Sequence, residues 1–487
     1  MRNLIIIVIA FGAFTSLIAQ QNTTLFFMHK VPQSNFVNPS LQHECKLNFG
    51  GLLLPVAGQI LPPVHQTMGT TGFSYKNLFY YEESIDSLMH PLHPDYDIDK
   101  LIKRLRKVNY IYDETHINLL NVGYQFKNKY YFTFSAQEKI DVKFSIPKDL
   151  IILGLEGNGQ SFLGKTANLQ GLGFSATYYR EFALGASMVI NKKLTLGAKP
   201  KLLFGQINAW TKSNSITWNT EANDFYYMFD VDYELNICQP FYGIKDMYYD
   251  YENDSMVMEL DTLMDMDKPE IKKIVFSGKN PGFAIDLGAT YIFNDKITLY
   301  ASLIDLGFIR WKDNVNSLKV KGQLYFDGLE VTHYLQDDDS LNEEVFDNWK
   351  DSVIQIFEPE YQPDKYTSFL TPQLYIGGTY QLFEKYNFGF LYRGALFQQR
   401  YLSSITLSGT GNIKKWFSAT ITYSIINNAF MNMGAGVIFK AGPAQFYLVS
   451  DNVLAPIWPQ STRDFNIRMG INLLFGCNKK VSSTMIN

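Results

Sequence analysis

The stretch "YFTFSAQEKIDVKFS", residues 131–145, alternates in polarity along its whole length. Phe132, Phe134, Ala136, Ile140, Val142 and Phe144 share one parity, with Glu138 as the exception. Thr133, Ser135, Gln137, Lys139, Asp141, Lys143 and Ser145 share the other. A period of two predicts a β-strand with one apolar and one polar face. One strand leaves open whether the apolar face meets a protein core or lipid.

Segments of the same kind recur. Residues 169–190 place Leu172, Phe174, Ala176, Tyr178, Phe182, Leu184, Ala186, Met188 and Ile190 on one face, with Arg180 as the exception. Residues 194–205, 282–293 and 416–425 alternate in the same way. Several of these runs are joined by very short polar turns, at 128–129, 191–193 and 294–296, where Asn and Asp tolerate the positive φ of a tight hairpin. Other connections are long and polar, near 79–115, 147–163, 239–268 and 336–366. They carry helical patterns in "DIDKLIKRLRKV", after Pro147, and in "SLNEEVFDNWKDSVIQIF". Short turns alternating with long insertions are the mark of an outer-membrane barrel.

The composition agrees. Charged residues make up 18% of the 487, against roughly 25% in ordinary globular chains. Aromatics reach 15%, and the net charge of −4 supplies no electrostatic footprint for nucleic acid. The start, "MRNLIIIVIAFGAFTSLIAQQ", has a basic residue, an apolar run and small residues up to Ala19, which predicts a signal peptide over 1–19. No later apolar run is long enough for a membrane helix. Cys45, Cys238 and Cys477 lack metal-ligand spacing and imply no disulfide framework.

Four features together favour lipid over a core. The chain carries an export signal. Its longest strands exceed both the strands of ordinary sandwiches and the 9–11 residues or so that cross a bilayer. Tyr130, Tyr131, Tyr291, Phe293, Trp311, Tyr386 and Trp416 crowd strand ends, as interfacial girdles require. The last strand, "DFNIRMGINLLF", is amphipathic and closes on Phe475. In lipid every backbone N–H and C=O must be paired, and for strands only a closed barrel does this. The expected fold is therefore all-β: a transmembrane antiparallel barrel of about 14–16 strands over 45–476, with short helices in its loops. Residues 20–44 would form an N-terminal segment that is a candidate lumen plug, and 477–487 a tail. Lipid of the outer membrane is then the first partner. The even strand count that places both barrel ends on the short-turn side requires a further strand near the N-terminus.

At the mature N-terminus, "LFFMHKVPQSNFVNPS" (25–40) contains Asn38-Pro39-Ser40 after an aromatic segment, which resembles the box that begins barrels of the FadL-like group. With "FSIPKDLIILGLEGNG", "GFSATYYREFALG" and "NDKITLYASLIDLGFIRW", the chain resembles an uncharacterised outer-membrane barrel family of Bacteroidota, a domain of unknown function. That resemblance implies distant similarity to FadL-type transporters and to barrel components of type IX secretion. It brings no catalytic motif.

Nucleotide-loop, nucleophile-elbow and zinc-protease patterns are missing from the sequence. His90 and His93 are each followed by a proline, which argues for a loop, and "DTLMDMDKPE" lacks the glycine of a calcium loop. No catalytic, cofactor or metal residue is assigned. The remaining lead is a set of charges on the polar parity: Lys139, Asp141, Lys143, Lys199, Lys201, Arg393 and Arg468 are expected to face the lumen. Such a lining either braces the wall or sets selectivity. Two functional classes follow, a channel for a small or hydrophobic solute and a scaffold that binds envelope or secretion-machinery proteins through its loops. An enzyme would need Ser and acid partners beside His116 or His333, and none can be placed there.

Overall fold

The tight turns make antiparallel pairing with the next segment the nearest way to satisfy each strand's backbone groups. The computed structural model describes residues 22–477 apart from 55–62, 72, 224–225, 239–245, 251–254, 260–277, 327–355, 358–359, 398–399, 427–428 and 459–461. The signal peptide expected over 1–19, the tail beyond 477, His333 and nearly all of the helix expected in 340–357 lie outside these residues.

Fourteen strands form the wall. They are β1 (Cys45–Gly50, resuming at Val64–Thr70), β2 (Val108–Phe126), β3 (Tyr130–Pro147), β4 (Gly173–Val189), β5 (Leu194–Thr220), β6 (Asn280–Asn294) and β7 (Ile297–Trp311). They continue with β8 (Tyr366–Phe369, resuming at Gln373–Phe383), β9 (Tyr386–Phe397), β10 (Arg400–Lys414), β11 (Phe417–Ile426), β12 (Ala429–Ala441), β13 (Ala444–Ser450) and β14 (Asp464–Cys477). Each pairs antiparallel with the next, and β14 returns to β1 with Leu47 opposite Phe475 and His65 opposite Arg468. The sheet is closed. The interrupted β1 is the extra strand that the sequence needed, and it brings both barrel ends to the short-turn side.

Turn chemistry differs from the expectation at two of the three hairpins. Positive φ occurs at Lys127 and Asn128, but Asn191 and Asn294 work through their side chains. Asn191 Oδ1 accepts from the backbone N–H of Lys193 and Leu194, both at 2.9 Å. Asn294 Oδ1 accepts from Lys296 and Ile297 at 3.0 and 2.8 Å. These are Asx turns, which replace left-handed backbone with a side-chain acceptor.

The long connections gather at the opposite end. A helix spans Ile98–Arg104, started by Asp97, whose side chain accepts from the Lys100 N–H at 2.8 Å. Another, Lys148–Glu156, follows Pro147. The loop expected over 79–115 is shorter, because β2 already begins at Val108. Strand β5 outlasts its neighbour: Leu194–Gly205 pairs with β6, while Asn208–Thr220 pairs with a strand at Tyr227–Cys238, itself paired with Val315–Phe326. The wall stands tallest there.

Polarity is inside out. Leu184, Ile421 and Phe388 on the outer face are 64%, 59% and 54% exposed, while Asn48, Asn208 and Asn472 are buried within. An apolar belt of this extent would aggregate in water; in lipid it is solvated. The fold is a transmembrane β-barrel. Two girdle expectations fail: Tyr131 and Trp311 are fully buried, whereas Tyr291, Phe293, Tyr386 and Trp416 do face outward.

The cysteine reading is also corrected. Cys45 and Cys477 form a disulfide across the closing seam of β1 and β14. Their separation in sequence, 432 residues, hid a pairing that only closure creates. Cys238 stays a buried free thiol.

Candidate functional site: an occluded lumen

Residues 22–44 lie inside the barrel. A short helix, Thr23–Phe26, and a 3-10 turn, Pro32–Phe36, present Leu25, Phe26, Phe27, Met28, Val31 and Val37 to Tyr300, Tyr375, Leu391, Ile438, Tyr447 and Val449 of the wall. Polar anchors fix both halves. The Thr24 N–H and Thr23 hydroxyl donate to Asp451 Oδ1 at 2.7 and 3.0 Å. Gln33 and Asn472 exchange amide hydrogen bonds at 2.7 and 2.9 Å. The Ser302 hydroxyl donates to the Val37 carbonyl at 2.6 Å. Asn38 Oδ1 accepts from the N–H and hydroxyl of Ser40, at 3.0 and 2.7 Å, so the Asn-Pro-Ser box is a self-capped turn. The wall makes room with glycine: a Cβ on Gly436 would run into the Met28 sulfur, and one on Gly197 into the Pro39 carbonyl.

Beside this segment, charges from five consecutive strands meet. Lys201 Nζ lies 2.6 Å from Asp305, 2.7 Å from Asp286 and 3.6 Å from Glu181. Lys139 Nζ lies 2.8 Å from Glu181 and 3.5 Å from Asp305. Lys199 turns to the N-terminal segment and donates to the Asn35 carbonyl at 3.0 Å. Lys139 and Lys201 share three carboxylates, and this mutual pairing is what permits their burial. Asp305 reaches the cluster because its φ is positive and the β6–β7 register slips beside it. The bulge turns two successive residues, Ile304 and Asp305, inward.

The other expected lumen charges lie around this cluster. Lys143 pairs with Glu114 at 3.2 Å, and Asp141 lies 3.6 Å from His116 Nε2. Arg393 donates to Gln373 at 2.7 Å and to the Tyr375 hydroxyl at 3.2 Å. Arg468 donates to His65 at 2.8 Å. Sequence reasoning singled out the bases and Asp141 and missed most partners. Glu114 and Glu181 share the polar parity and were findable. Asp305 was not, because the bulge breaks the period that would have placed it.

Above the cluster is a cavity of about 720 Å³. Inward residues Tyr179, Asn208, Trp210 and Gln373 line it, but so do Leu306 and Leu396, which are about half exposed on the outer face. The regular strand ladder is interrupted at that point. Strands β7 and β8 pair from Ile297–Tyr380 to Ile304–Gln373 and again from Phe308–Phe369 to Trp311–Tyr366. Continuing the register between these ladders sets Leu306 opposite Thr371 and Asp305 opposite Pro372, a residue with no N–H to give, while the Leu370 N–H still donates to the Gly307 carbonyl at 3.0 Å. A second cavity of about 290 Å³ lies at the short-turn end, lined by Phe27, His29, Leu41, Thr290 and Tyr300.

A closed barrel with its lumen filled by its own N-terminus, and a cavity reaching the wall, defines the class: an occluded transmembrane β-barrel. The chain belongs to DUF5723, a family of unknown function whose model matches residues 54–451. No curated protein matches it by sequence. Among solved structures it is similar to the Ralstonia pickettii toluene transporter TbuX, with 10% identity, a TM-score of 0.41 and coverage of 91% of this chain and 94% of that one. It is similar also to the Pseudomonas putida toluene transporter TodX (9%, 0.35, coverage 91% and 92%) and to a Pseudomonas aeruginosa FadL homologue (8%, 0.36, coverage 94% and 96%).

Proposed function

We propose that the protein is an outer-membrane channel that takes up a small hydrophobic solute and is held shut by its N-terminal segment. The observation that carries this reading is the cavity lined at once by lumen residues and by the outward-facing Leu306 and Leu396. An apolar solute dissolved at the outer rim of the bilayer reaches such a cavity without crossing water. Its size suits a ligand of modest dimensions, within the roughly 300–1,000 Å³ of typical binding sites. Passage onward requires movement of residues 22–44, which separate it from the lower cavity.

The test is to bridge the interrupted wall. The double variant Leu306→Cys/Thr371→Cys is oxidised, reconstituted in liposomes and assayed for uptake of a fluorescent alkyl or aryl solute. Cross-linking is expected to suppress uptake and reduction to restore it. Uptake at the wild-type rate in the cross-linked protein would exclude the wall interruption as the route.

A further inference from the structure

The cavity's polar end is unusual for a site that would take an organic anion. Three carboxylates line it, Glu114, Asp141 and Asp305, against two ammonium groups, Lys143 and Lys212. Both lysines have carboxylate partners: Lys143 lies 3.2 Å from Glu114 Oε1 and Lys212 lies 2.9 Å from Glu234 Oε1. Asp305 is held by Lys201 and Lys139. The anions are less well matched. Asp141 faces the His116 imidazole at 3.6 Å, and the other Glu114 oxygen, Oε2, has no hydrogen-bond partner among the described residues although the side chain is only 3% exposed. A buried carboxylate oxygen without a donor is costly, and a ligand that supplies the donor recovers that cost. The opposite end of the cavity is apolar, with Leu306, Phe369, Leu370 and Leu396.

We infer that the ligand is an amphiphile whose head donates hydrogen bonds, preferably an ammonium group, with an alkyl or aryl tail toward the wall interruption. A fatty-acid-like carboxylate is the disfavoured head, because it would meet Glu114 and Asp141 with no uncommitted cation to receive it. This inference rests on the cavity being the solute site proposed above, and it adds the sign of the head.

Trp210 lines the same cavity and reports occupancy. Purified full-length protein in phosphatidylcholine nanodiscs is titrated with terminally brominated dodecylamine, dodecanol and dodecanoate, and tryptophan quenching is compared with that of Trp210→Phe, which isolates the Trp210 signal. The amine is expected to bind about tenfold or more tightly than the carboxylate, with the alcohol between them. Glu114→Gln/Asp141→Asn is expected to erase most of that preference while keeping binding of the alcohol. A carboxylate that binds as tightly as the amine in the wild-type protein would overturn the inference while leaving the hydrophobic site intact. Absence of Trp210 quenching by all three would overturn the reading of the cavity itself. The wild-type series decides the matter even if the double variant does not fold.

Discussion

Glu138 and Arg180 stand directly opposite each other on β3 and β4, and Arg180 Nε donates to Glu138 Oε1 at 2.6 Å. They are the two residues that break the apolar parity of their strands, and the register makes each the other's partner. On a wall face that meets hydrocarbon, neither charge is tolerable alone. Removing one, as in Glu138→Ala or Arg180→Ala, should therefore destabilise the barrel by about 3–5 kcal/mol. Glu138→Leu/Arg180→Leu should recover most of the loss. Denaturant unfolding in detergent or liposomes, followed by heat-modifiable gel mobility, measures both.

The Cys45–Cys477 disulfide closes the seam between the first and last strands. Cys45→Ser/Cys477→Ser should still fold, because Leu47–Phe475 and the pairs beyond it keep the seam hydrogen-bonded. Its unfolding should be easier by about 2–4 kcal/mol. Equal midpoints with and without reductant would show that the seam needs no staple.

In the proposed channel, residues 22–44 act as the seal, and their packing against the wall depends on glycine. Gly436→Leu would drive a side chain into Met28 and should loosen the segment, raising single-channel conductance severalfold in a planar bilayer. Deletion of 22–44 should raise it further. Conductance unchanged by the deletion would place the seal elsewhere.

Lys201 serves three carboxylates at once. Lys201→Met leaves Asp286 and Asp305 short of a counter-charge and should cost about 3–5 kcal/mol. Lys199→Met should cost less, because Lys199 donates to the neutral Asn35 carbonyl. The difference between the two in one unfolding assay is the informative quantity.

The sequence by itself determined the strand faces, the antiparallel order and the helices at 98–104 and 148–156. Each is written in a period or a cap a few residues long. It also placed Lys139, Lys143, Lys199 and Lys201 on the polar parity. Only the tertiary structure decided what those charges meet, since Lys201 and Asp305 lie on different strands and Asp305 arrives through a bulge. The disulfide, the anchoring of Thr24 to Asp451 and the Gln33–Asn472 exchange join residues more than four hundred positions apart. No local pattern encodes such contacts; they exist because the sheet closes and leaves a lumen that the N-terminus fills.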